Sequence, residues 1–239
     1  MKKITLIYSG GSDSFTLLNY AISKNIDVDC ITFSYGQKHK KEIDYAKSVC
    51  RESNKKHTII DIDNTEALFG SSSLTSDDNQ IPYGSYKEDT MKSTIVPNRN
   101  MIFLSYAIAY SIANKINEVW YGAHAGDHFI YPDCRPEFLA AMNNAAGLCD
   151  PNKIVIEAPF INLTKGEIIK IGLNLDLDYS KAWTCYEGKD IPCGRCGSCV
   201  ERAEAFLDNS QTDPSVSYTH LRAHETRGNL VCRLLREKK

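Results

Sequence analysis

A glycine-rich turn near the start of the chain has the residue types of a phosphate-binding loop. Its residues are Ser9-Gly10-Gly11-Ser12-Asp13-Ser14, and it follows the apolar, β-branched segment from Lys3 to Tyr8. Glycines let a backbone approach a ligand without Cβ clashes, and the free N–H groups of a following helix favour an anion. Composition alone fits a plain turn with a good helix cap about equally well, and the turn is neither a Walker A motif nor a G-x-G-x-x-G loop.

Asp13 is the atypical member of this turn, because a carboxylate beside phosphates would repel them. We interpret it either as the N-cap of the following helix or as a partner of Mg²⁺. The position of the turn after the first strand favours a ligand site, since doubly wound sheets bind ligands at the carboxyl ends of their strands.

A second group of reactive side chains lies in the C-terminal part of the chain. It consists of Cys185, Cys193, Cys196 and Cys199. Glycines between these cysteines let several thiolates converge, and four sulfur ligands match a closed tetrahedral Zn²⁺ site. A closed site has no open coordination position, so we expect the zinc to be structural. An iron–sulfur cluster, a redox pair and unrelated buried thiols are the alternatives.

Polar side chains also follow a predicted strand in the middle of the chain. They are Asp127, Tyr131, Asp133 and Arg135, and Arg99 stands at a second polar entry to a helix. Polar residues at strand ends are candidates for substrate contact. The alternative is a solvated loop with a helix cap at Asp133, while Arg99 binds a phosphate or carboxylate or only stabilises a loop.

The elements that must position these groups alternate along the chain. Residues 3–8, 28–33, 56–62, 118–122 and 154–158 have strand character, whereas residues 15–22, 39–52, 100–114, 137–146 and 165–171 have helical spacing. This alternation predicts an α/β fold with a doubly wound parallel sheet. Residues 64–94 are polar with little periodicity and predict a long mobile loop, which is a candidate lid.

Composition limits the classes of protein to which the chain can belong. It has 239 residues, a net charge of −2 and no apolar run of the roughly 20 residues that a membrane helix needs. No secretory signal is visible, and the nine cysteines are partly clustered and odd in number, which favours a reduced compartment. We therefore expect a cytoplasmic protein with neither a membrane nor a nucleic acid as partner.

These segments together resemble the QueC-type 7-cyano-7-deazaguanine synthases, a family of PP-loop ATP pyrophosphatases. The resemblance extends from about residue 3 to about residue 213. It rests on Ser-Gly-Gly-x-Asp-Ser at 9–14, Val-Pro-Asn-Arg-Asn-Met-Ile-Phe-Leu-Ser at 96–105, Tyr-Pro-Asp-Cys-Arg-Pro-Glu-Phe at 131–138, and Trp-Thr-Cys-Tyr at 183–186 continuing through the cysteines to Phe206. Four separated motifs in one order are far more specific than the turn alone.

The resemblance implies an adenine nucleotide alpha hydrolase-like, Rossmann-like fold and a ligase that forms C–N bonds. This family uses ATP and ammonia to convert 7-carboxy-7-deazaguanine, through adenylation and an amide, to the nitrile 7-cyano-7-deazaguanine (preQ0) for queuosine or other deazapurines. It also implies Mg²⁺ with ATP, a structural Zn²⁺ on the four cysteines, and a homodimer.

The carry-over of roles follows the matching motifs. Ser9, Asp13 and Ser14 are implied to be catalytic together with Lys165, and the implied ATP-binding residues are Tyr8, Ser9, Gly10, Gly11, Ser12, Asp13 and Ser14. The implied substrate-binding residues are Arg99, Asp127, Tyr131, Asp133 and Arg135, and the implied metal ligands are Cys185, Cys193, Cys196 and Cys199. The expected domains are a PP-loop domain at 1–180 and a helical zinc-binding segment at 181–213.

Three parts of the chain depart from the pattern of the family. Ser12 replaces the usual aliphatic residue, and residues 124–130 differ from the expected Asn/Asp/Ser/Gly-rich stretch. Residues 214–239 resemble a translated vector or adaptor, although a genuine basic tail is the alternative. The competing functions are another PP-loop enzyme, such as a tRNA thiolase or an amide-forming synthetase, and a zinc-ribbon module that binds nucleic acid.

Overall fold

A parallel five-stranded sheet forms the centre of the molecule. The computed structural model describes residues 1–63, 65–76, 78–84 and 89–215. The strands are β1 (Lys3–Ile7), β2 (Asp27–Ser34), β3 (Lys56–Asp61), β4 (Glu118–Trp120) and β5 (Val155–Glu157), in the order β3-β2-β1-β4-β5. All four neighbouring pairs are parallel. The predicted doubly wound α/β fold is therefore confirmed.

Helices cover both faces of this sheet. They are α1 (Ser12–Ser23), α2 (Lys41–Glu52), α3 (Glu66–Phe69), α4 (Arg99–Ala113), α5 (Pro136–Ala146), α6 (Lys165–Asn174) and α7 (Gly197–Asp208). Side chains of α4 and α5 join one buried apolar cluster, and those of α1, α2, α6 and α7 join another on the opposite face. The helical C-terminal segment that the family resemblance implied contains α7.

Alternation along the strands explains the two cores. In β2, Val28 and Cys30 pack into one cluster, whereas Ile31 and Phe33 belong to the other. Because successive side chains of a strand point to opposite faces, a strand with apolar residues on both faces must be covered on both sides. The buried face predicted for α2, which consists of Ile43, Ala46, Val49 and Cys50, is confirmed.

The segment at 64–94 is more structured than its polar composition predicted. Its described residues include α3 and a 3-10 turn at Asp89–Thr94. Phe69 and Met91 are buried in the core, and Ser73 N donates to Ser93 O at 2.8 Å. Isolated apolar residues at irregular spacing have no helical or strand period, so sequence patterns do not detect such an anchored loop.

A buried arginine attaches α7 to the chain segments before and after it. Arg202 is 1% exposed, and its Nε and Nη2 donate to Asp213 at 2.8 and 2.9 Å. Its remaining donors bind the carbonyl oxygens of Ala182 and Tyr179, each at 2.8 Å. The guanidinium thus has a charge partner and satisfied hydrogen bonds, which a buried cation requires.

The sequence also predicted a C-terminal tail and a domain boundary. Most of the adaptor-like tail predicted at 214–239 lies outside the described residues, and the division into domains at residue 180 stays a prediction. Within the described part of the chain, no helix has both the length and the apolar character for a membrane span.

We expect the substitution Arg202→Met to destabilise the protein by about 3–5 kcal/mol, because it leaves the Asp213 carboxylate buried without its charge partner. Urea unfolding followed by circular dichroism measures this loss. The matched control is Lys181→Met, which removes a half-exposed ion pair with Glu52 and should cost about 0–1 kcal/mol. Equal losses in the two variants would contradict the anchoring role of Arg202.

Candidate active site

A cavity opens at the carboxyl ends of β1 and β4, where the order of the strands reverses. Its volume is about 240 Å³. The chain leaves β1 to α1 on one side of this point and β4 to the segment at 122–135 on the other, so two loops diverge from adjacent strands. Such a switch point is where open parallel sheets bind ligands.

The glycine-rich turn forms one end of the cavity. Gly10 has a φ of +90°, and a Cβ at this position would lie 2.2 Å from the carbonyl oxygen of Glu42. Only glycine therefore fits between the turn and the first turn of α2. Gly11 stands at the N-cap of α1 without a side-chain cap, so the first N–H groups of the helix remain available to an anion.

Hydroxyl groups of the turn are arranged by bonds within the turn itself. Ser9 Oγ and Ser14 Oγ are 3.1 Å apart, and Ser14 Oγ donates to Gly11 O at 3.1 Å. Ser9, Gly11, Asp13 and Ser14 line the cavity, whereas Gly10 and Ser12 do not. Ser12 is fully buried, and its hydroxyl has no partner among the described residues.

Asp13 does not cap α1; it forms a partly buried ion pair. Its Oδ2 lies 2.5 Å from Lys165 Nζ, and its Oδ1 is buried with no partner among the described residues. Burial by itself would raise the pKa of the Asp13 carboxyl, but Lys165 and His124 outweigh it and lower that pKa. Burial acts to lower the pKa of Lys165, yet Asp13 and Glu201 raise it overall. Both partners therefore stay charged.

Two further carboxylates and a histidine surround this pair. Glu201 Oε2 lies 3.6 Å from Lys165 Nζ. His124 is 1% exposed and its Nδ1 accepts from Gly126 N at 3.1 Å, so the proton of the neutral ring is on Nε2. That Nε2 lies 3.4 Å from Asp127 Oδ2 and 3.7 Å from Asp13 Oδ2. Two carboxylates thus face a single lysine, and a third, that of Asp127, faces His124.

The other end of the cavity is aromatic. Phe33 stacks on Phe103 with ring centroids 4.1 Å apart, and Tyr35 packs edge-on against Phe103 at 5.1 Å. Arg99 Nη1 donates to the Tyr35 hydroxyl at 3.5 Å, and Arg99 forms no ion pair with a carboxylate of the described residues. Tyr121 and Tyr131 also line this end. Flat rings beside a guanidinium suit a planar, hydrogen-bonding ligand.

The structure brings most, but not all, of the predicted site residues to this cavity. Tyr8, Arg99, Asp127, Tyr131 and Lys165 line it together with the turn. Asp133 and Arg135 do not. Asp133 Oδ2 accepts from Asn100 N at 3.2 Å in the first turn of α4, and the exposed Arg135 donates from Nε to His128 O at 2.9 Å. Asp133 does not cap α5, whose N-cap is Arg135; its carboxylate instead accepts from the first turn of α4.

Sequence analysis did not single out three acidic or basic side chains of the cavity. Glu42 lies in the charged first turn of α2, His124 lies in the atypical stretch, and Glu201 follows the cysteines. The available signals were the nearness of His124 to a strand end and of Glu201 to the Cys-Gly-Ser-Cys motif. Nothing in the pattern of α2 distinguishes Glu42 from its exposed neighbours.

The four cysteines converge as predicted. Their Sγ atoms all lie within 4.8 Å of one another, and Cys185 and Cys196 are fully buried. Cys193 N and Cys196 N donate to the sulfurs of Cys185 and Cys193 at 3.2 and 3.3 Å, which supports thiolate charge. A tetrahedral ion with bonds of about 2.3 Å separates its sulfur ligands by roughly 3.8 Å. The group can therefore hold one metal ion.

The cysteine segment forms one wall of the cavity. Trp183 N donates to Gly10 O at 2.9 Å, which joins this segment directly to the glycine-rich turn. Thr184, Ser198 and Glu201 line the cavity from the same side. The cysteine group thus lies beside the site, and an ion held by all four thiolates would have no open coordination position there.

Comparison with known proteins identifies the family. The family model described as queuosine biosynthesis protein QueC matches residues 3–210. The 7-cyano-7-deazaguanine synthase 2 of Colwellia psychrerythraea is 54% identical over 214 residues, which cover 90% of this chain and 98% of that protein. The 7-cyano-7-deazaguanine synthase of Marinobacter nauticus is 53% identical over 211 residues, with 88% and 95% covered.

Among solved structures, an NMN synthetase from Francisella tularensis aligns over 92% of this chain and 84% of its own, at 14% identity and a TM-score of 0.49. A likeness at this level carries no weight for function. The family model and the two relatives show the family. The chain belongs to the QueC family of queuosine biosynthesis proteins, whose named relatives are enzymes.

Proposed function

We propose that the chain is an ATP-dependent ligase that converts 7-carboxy-7-deazaguanine and ammonia to 7-cyano-7-deazaguanine. The observation that carries the proposal is a single cavity with the glycine-rich turn at one end and a planar aromatic compartment at the other. The names of the relatives support the same reaction. A nucleotide phosphate and a flat deazapurine carboxylate would meet between the two ends.

The chemistry requires two activations of one carbon. In the first, a carboxylate oxygen attacks the α-phosphorus of ATP, and pyrophosphate leaves. Ammonia then attacks the acyl carbon, a proton is lost, and AMP departs to leave the amide. In the second, the amide oxygen attacks the α-phosphorus of another ATP, and loss of AMP and of the protons on nitrogen gives the nitrile. Each departure of pyrophosphate spreads negative charge that the site must stabilise.

Lys165 and the turn supply that stabilisation. Lys165 stays protonated because two carboxylates face it, so a fixed positive charge lies beside the turn. The N–H groups at the start of α1 and the hydroxyls of Ser9 and Ser14 add neutral donors. These groups are already in place before the reaction, so the developing charge requires little rearrangement.

The acidic surroundings of Lys165 fit Mg²⁺. Asp13 Oδ1 is buried without a partner in the described chain, and Asp127 lies across His124 from it. Carboxylate oxygens together with substrate phosphates are the usual ligands of Mg²⁺. Held there by Asp13, with Asp127 nearby, the ion would neutralise phosphate charge and relieve the excess of negative charge.

We assign Zn²⁺ to the four cysteines, with a structural role. A cubane iron–sulfur cluster would place iron and sulfide between its ligands and spread them further apart than one ion does. A tRNA thiolase would need a redox-active cysteine pair, and Cys134 is the sole cysteine of the described residues that lines the cavity. The homodimer and the absence of a nucleic-acid partner stay predictions.

The proposed reaction is tested directly by mass spectrometry. We expect the protein, supplied with 7-carboxy-7-deazaguanine, ATP, Mg²⁺ and ammonium, to form the nitrile and to release AMP and pyrophosphate. Without ammonium, the reaction should stop at the acyl adenylate, which releases pyrophosphate but retains AMP. Absence of both the nitrile and AMP, in protein that retains its metal, would refute the proposal.

We expect Lys165→Met to lower kcat for pyrophosphate release by about 100-fold or more, because it removes a fixed positive charge that stabilises the departing phosphates. Steady-state release of pyrophosphate is the measurement. Lys170→Met is the matched control, since Lys170 is exposed on the same helix, and it should leave kcat unchanged. A kcat equally unaffected in both variants would count against the role of Lys165.

Purified without chelators, the protein should contain about one zinc per chain, because four thiolates close its coordination sphere. Elemental analysis and thermal unfolding measure the effect of Cys196→Ser, which we expect to lower both the zinc content and Tm. Cys149→Ser changes an exposed cysteine outside the cluster and should alter neither. Stoichiometric iron with sulfide, or no metal at all, would show the assignment to be wrong.

A further inference from the structure

The wall of the cavity at the end of β4 contains a buried hydroxyl that the mechanism above does not use. We propose that the Tyr121 hydroxyl binds the deazapurine substrate by donating a hydrogen bond to its 6-oxo group, and thereby selects a guanine-type base. This inference rests on the proposed function and deepens it, because it adds a specificity-determining residue on the β4 side of the cavity.

The sheet directs Tyr121 away from the glycine-rich turn. Tyr121 N donates to Glu157 O at 3.1 Å, so the pairing of β4 with β5 extends to this residue. Trp120 packs in the apolar cluster of α1 and α6, whereas Tyr121 belongs to the cluster of α4 and α5 on the other face. The next residue, Gly122, is the one beside the turn, since a Cβ there would lie 3.6 Å from Ser14 N.

The hydroxyl of Tyr121 is buried without a hydrogen-bond partner. Tyr121 is 4% exposed and lines the cavity, and its hydroxyl has no partner among the described residues. Leaving a buried polar group unpaired costs free energy, which a ligand that supplies the partner recovers. Such a group in the wall of a cavity is therefore a candidate contact for the ligand of that cavity.

The polar groups beside this hydroxyl already bind one another. Asn100 N donates to Asp133 Oδ2 at 3.2 Å. Asn100 Nδ2 donates to Asp133 O at 3.3 Å and to Cys134 Sγ at 3.2 Å. These bonds join the start of α4 to the segment after β4, so the surroundings of the hydroxyl are in place before a ligand binds.

Burial keeps the Tyr121 hydroxyl protonated. Desolvation raises the pKa of Tyr121 well above its ordinary value, and the thiol of Cys134 and the carboxylate of Asp133 raise it further. A neutral phenol carries one O–H donor. Tyr121 therefore presents a proton to the cavity at neutral pH.

The other side chains of this wall fit a planar ring. Phe103, Leu104 and Tyr131 line the cavity together with Tyr121 and are buried. The hydroxyl of Tyr131 lies 2.7 Å from Thr94 Oγ1, so it already has a partner within the chain. A mainly apolar wall with one unpaired donor orients a flat ligand through that donor.

The substrate carries an acceptor that suits this donor. In 7-carboxy-7-deazaguanine the 6-oxo oxygen lies beside the carboxylate on C7, so a donor to this oxygen also limits the orientation of the reacting group. Adenine carries an amino donor at the same position and offers no acceptor there. A site that donates a hydrogen bond at this position therefore favours the deazaguanine over an adenine ring.

Ligand binding to Tyr121→Phe tests the assignment. We expect the Kd for 7-carboxy-7-deazaguanine, measured by calorimetry, to rise about 10-fold, because the ring is kept and only the donor is lost. The Kd for ATP should stay within about twofold, since the side chain points away from the turn. Tyr106→Phe, the same change on an exposed side chain outside the cavity, should leave both Kd values unchanged. An unchanged Kd for the deazaguanine in Tyr121→Phe would overturn the inference, as would a rise confined to ATP.

Thermal unfolding of the ligand-free protein separates binding from a structural effect. A buried hydroxyl without a partner destabilises the fold, so Tyr121→Phe should leave Tm unchanged or raise it while it weakens binding of the deazaguanine. A purely structural role predicts a lower Tm together with weaker binding of both ligands. That combination would show the inference to be wrong.

A substrate analogue with hydrogen in place of the 6-oxo group identifies the atom that Tyr121 contacts. The wild type should bind this analogue about 10-fold or more weakly than 7-carboxy-7-deazaguanine. For Tyr121→Phe, the same change of ligand should cost about 10-fold less. Other effects of the missing oxygen are common to both proteins and cancel in this cycle. Additive losses would refute the contact with the oxo group.

These measurements keep the two proposals apart. If the wild type shows the coupling between Tyr121 and the oxo group but forms no nitrile, the proposed reaction fails and the inference stands. If the wild type forms the nitrile and binds the deazaguanine without that coupling, the inference fails and the proposed reaction stands. A wild type that neither binds the deazaguanine nor forms the nitrile would refute both.

Discussion

The buried pair of Asp13 and Lys165 is the interaction on which the arrangement of the site depends. Both groups are largely shielded from solvent, and each favours the charged form of the other. Lys165 also stands at the N-terminus of α6, where a positive charge is unfavourable to the helix dipole. The carboxylates of Asp13 and Glu201 offset this effect, and the capping box of Thr164 and Glu167 fixes the start of the helix. The pair thereby holds α1, α6 and the glycine-rich turn in one geometry.

The site is assembled from parts that are distant in the chain. The parallel sheet brings the ends of β1 and β4 together, α2 closes one side, and the cysteine segment closes another through Trp183. A local metal group can organise a short segment that has little apolar core of its own, since binding of the ion contributes folding free energy. Here that segment also supplies Thr184, Ser198 and Glu201 to the cavity. The four cysteines that can hold an ion therefore lie beside the residues of the same segment that line the cavity, and the two sets do not overlap.

The sequence predicted what local pattern encodes. Strand and helix periods predicted the sheet, the buried face of α2 followed from its spacing, and the four cysteines followed from glycines between thiols. Features that depend on packing were missed. The N-cap interpretation of Asp13 is wrong because Lys165, distant in the chain, attracts its carboxylate. Glu42 and Phe69 likewise acquire their environment from neighbours that no local period identifies.

Gly10 forms a close backbone contact between the glycine-rich turn and the first turn of α2. Its α-carbon lies so close to the carbonyl oxygen of Glu42 that a methyl group has no room, and its backbone is in the left-handed region. A displacement of the first turn of α2 is therefore transmitted to the glycine-rich turn without any side chain between them. A side chain at position 10 would therefore displace the start of α2 and the glycine-rich turn together, which leaves glycine as the residue that fits there.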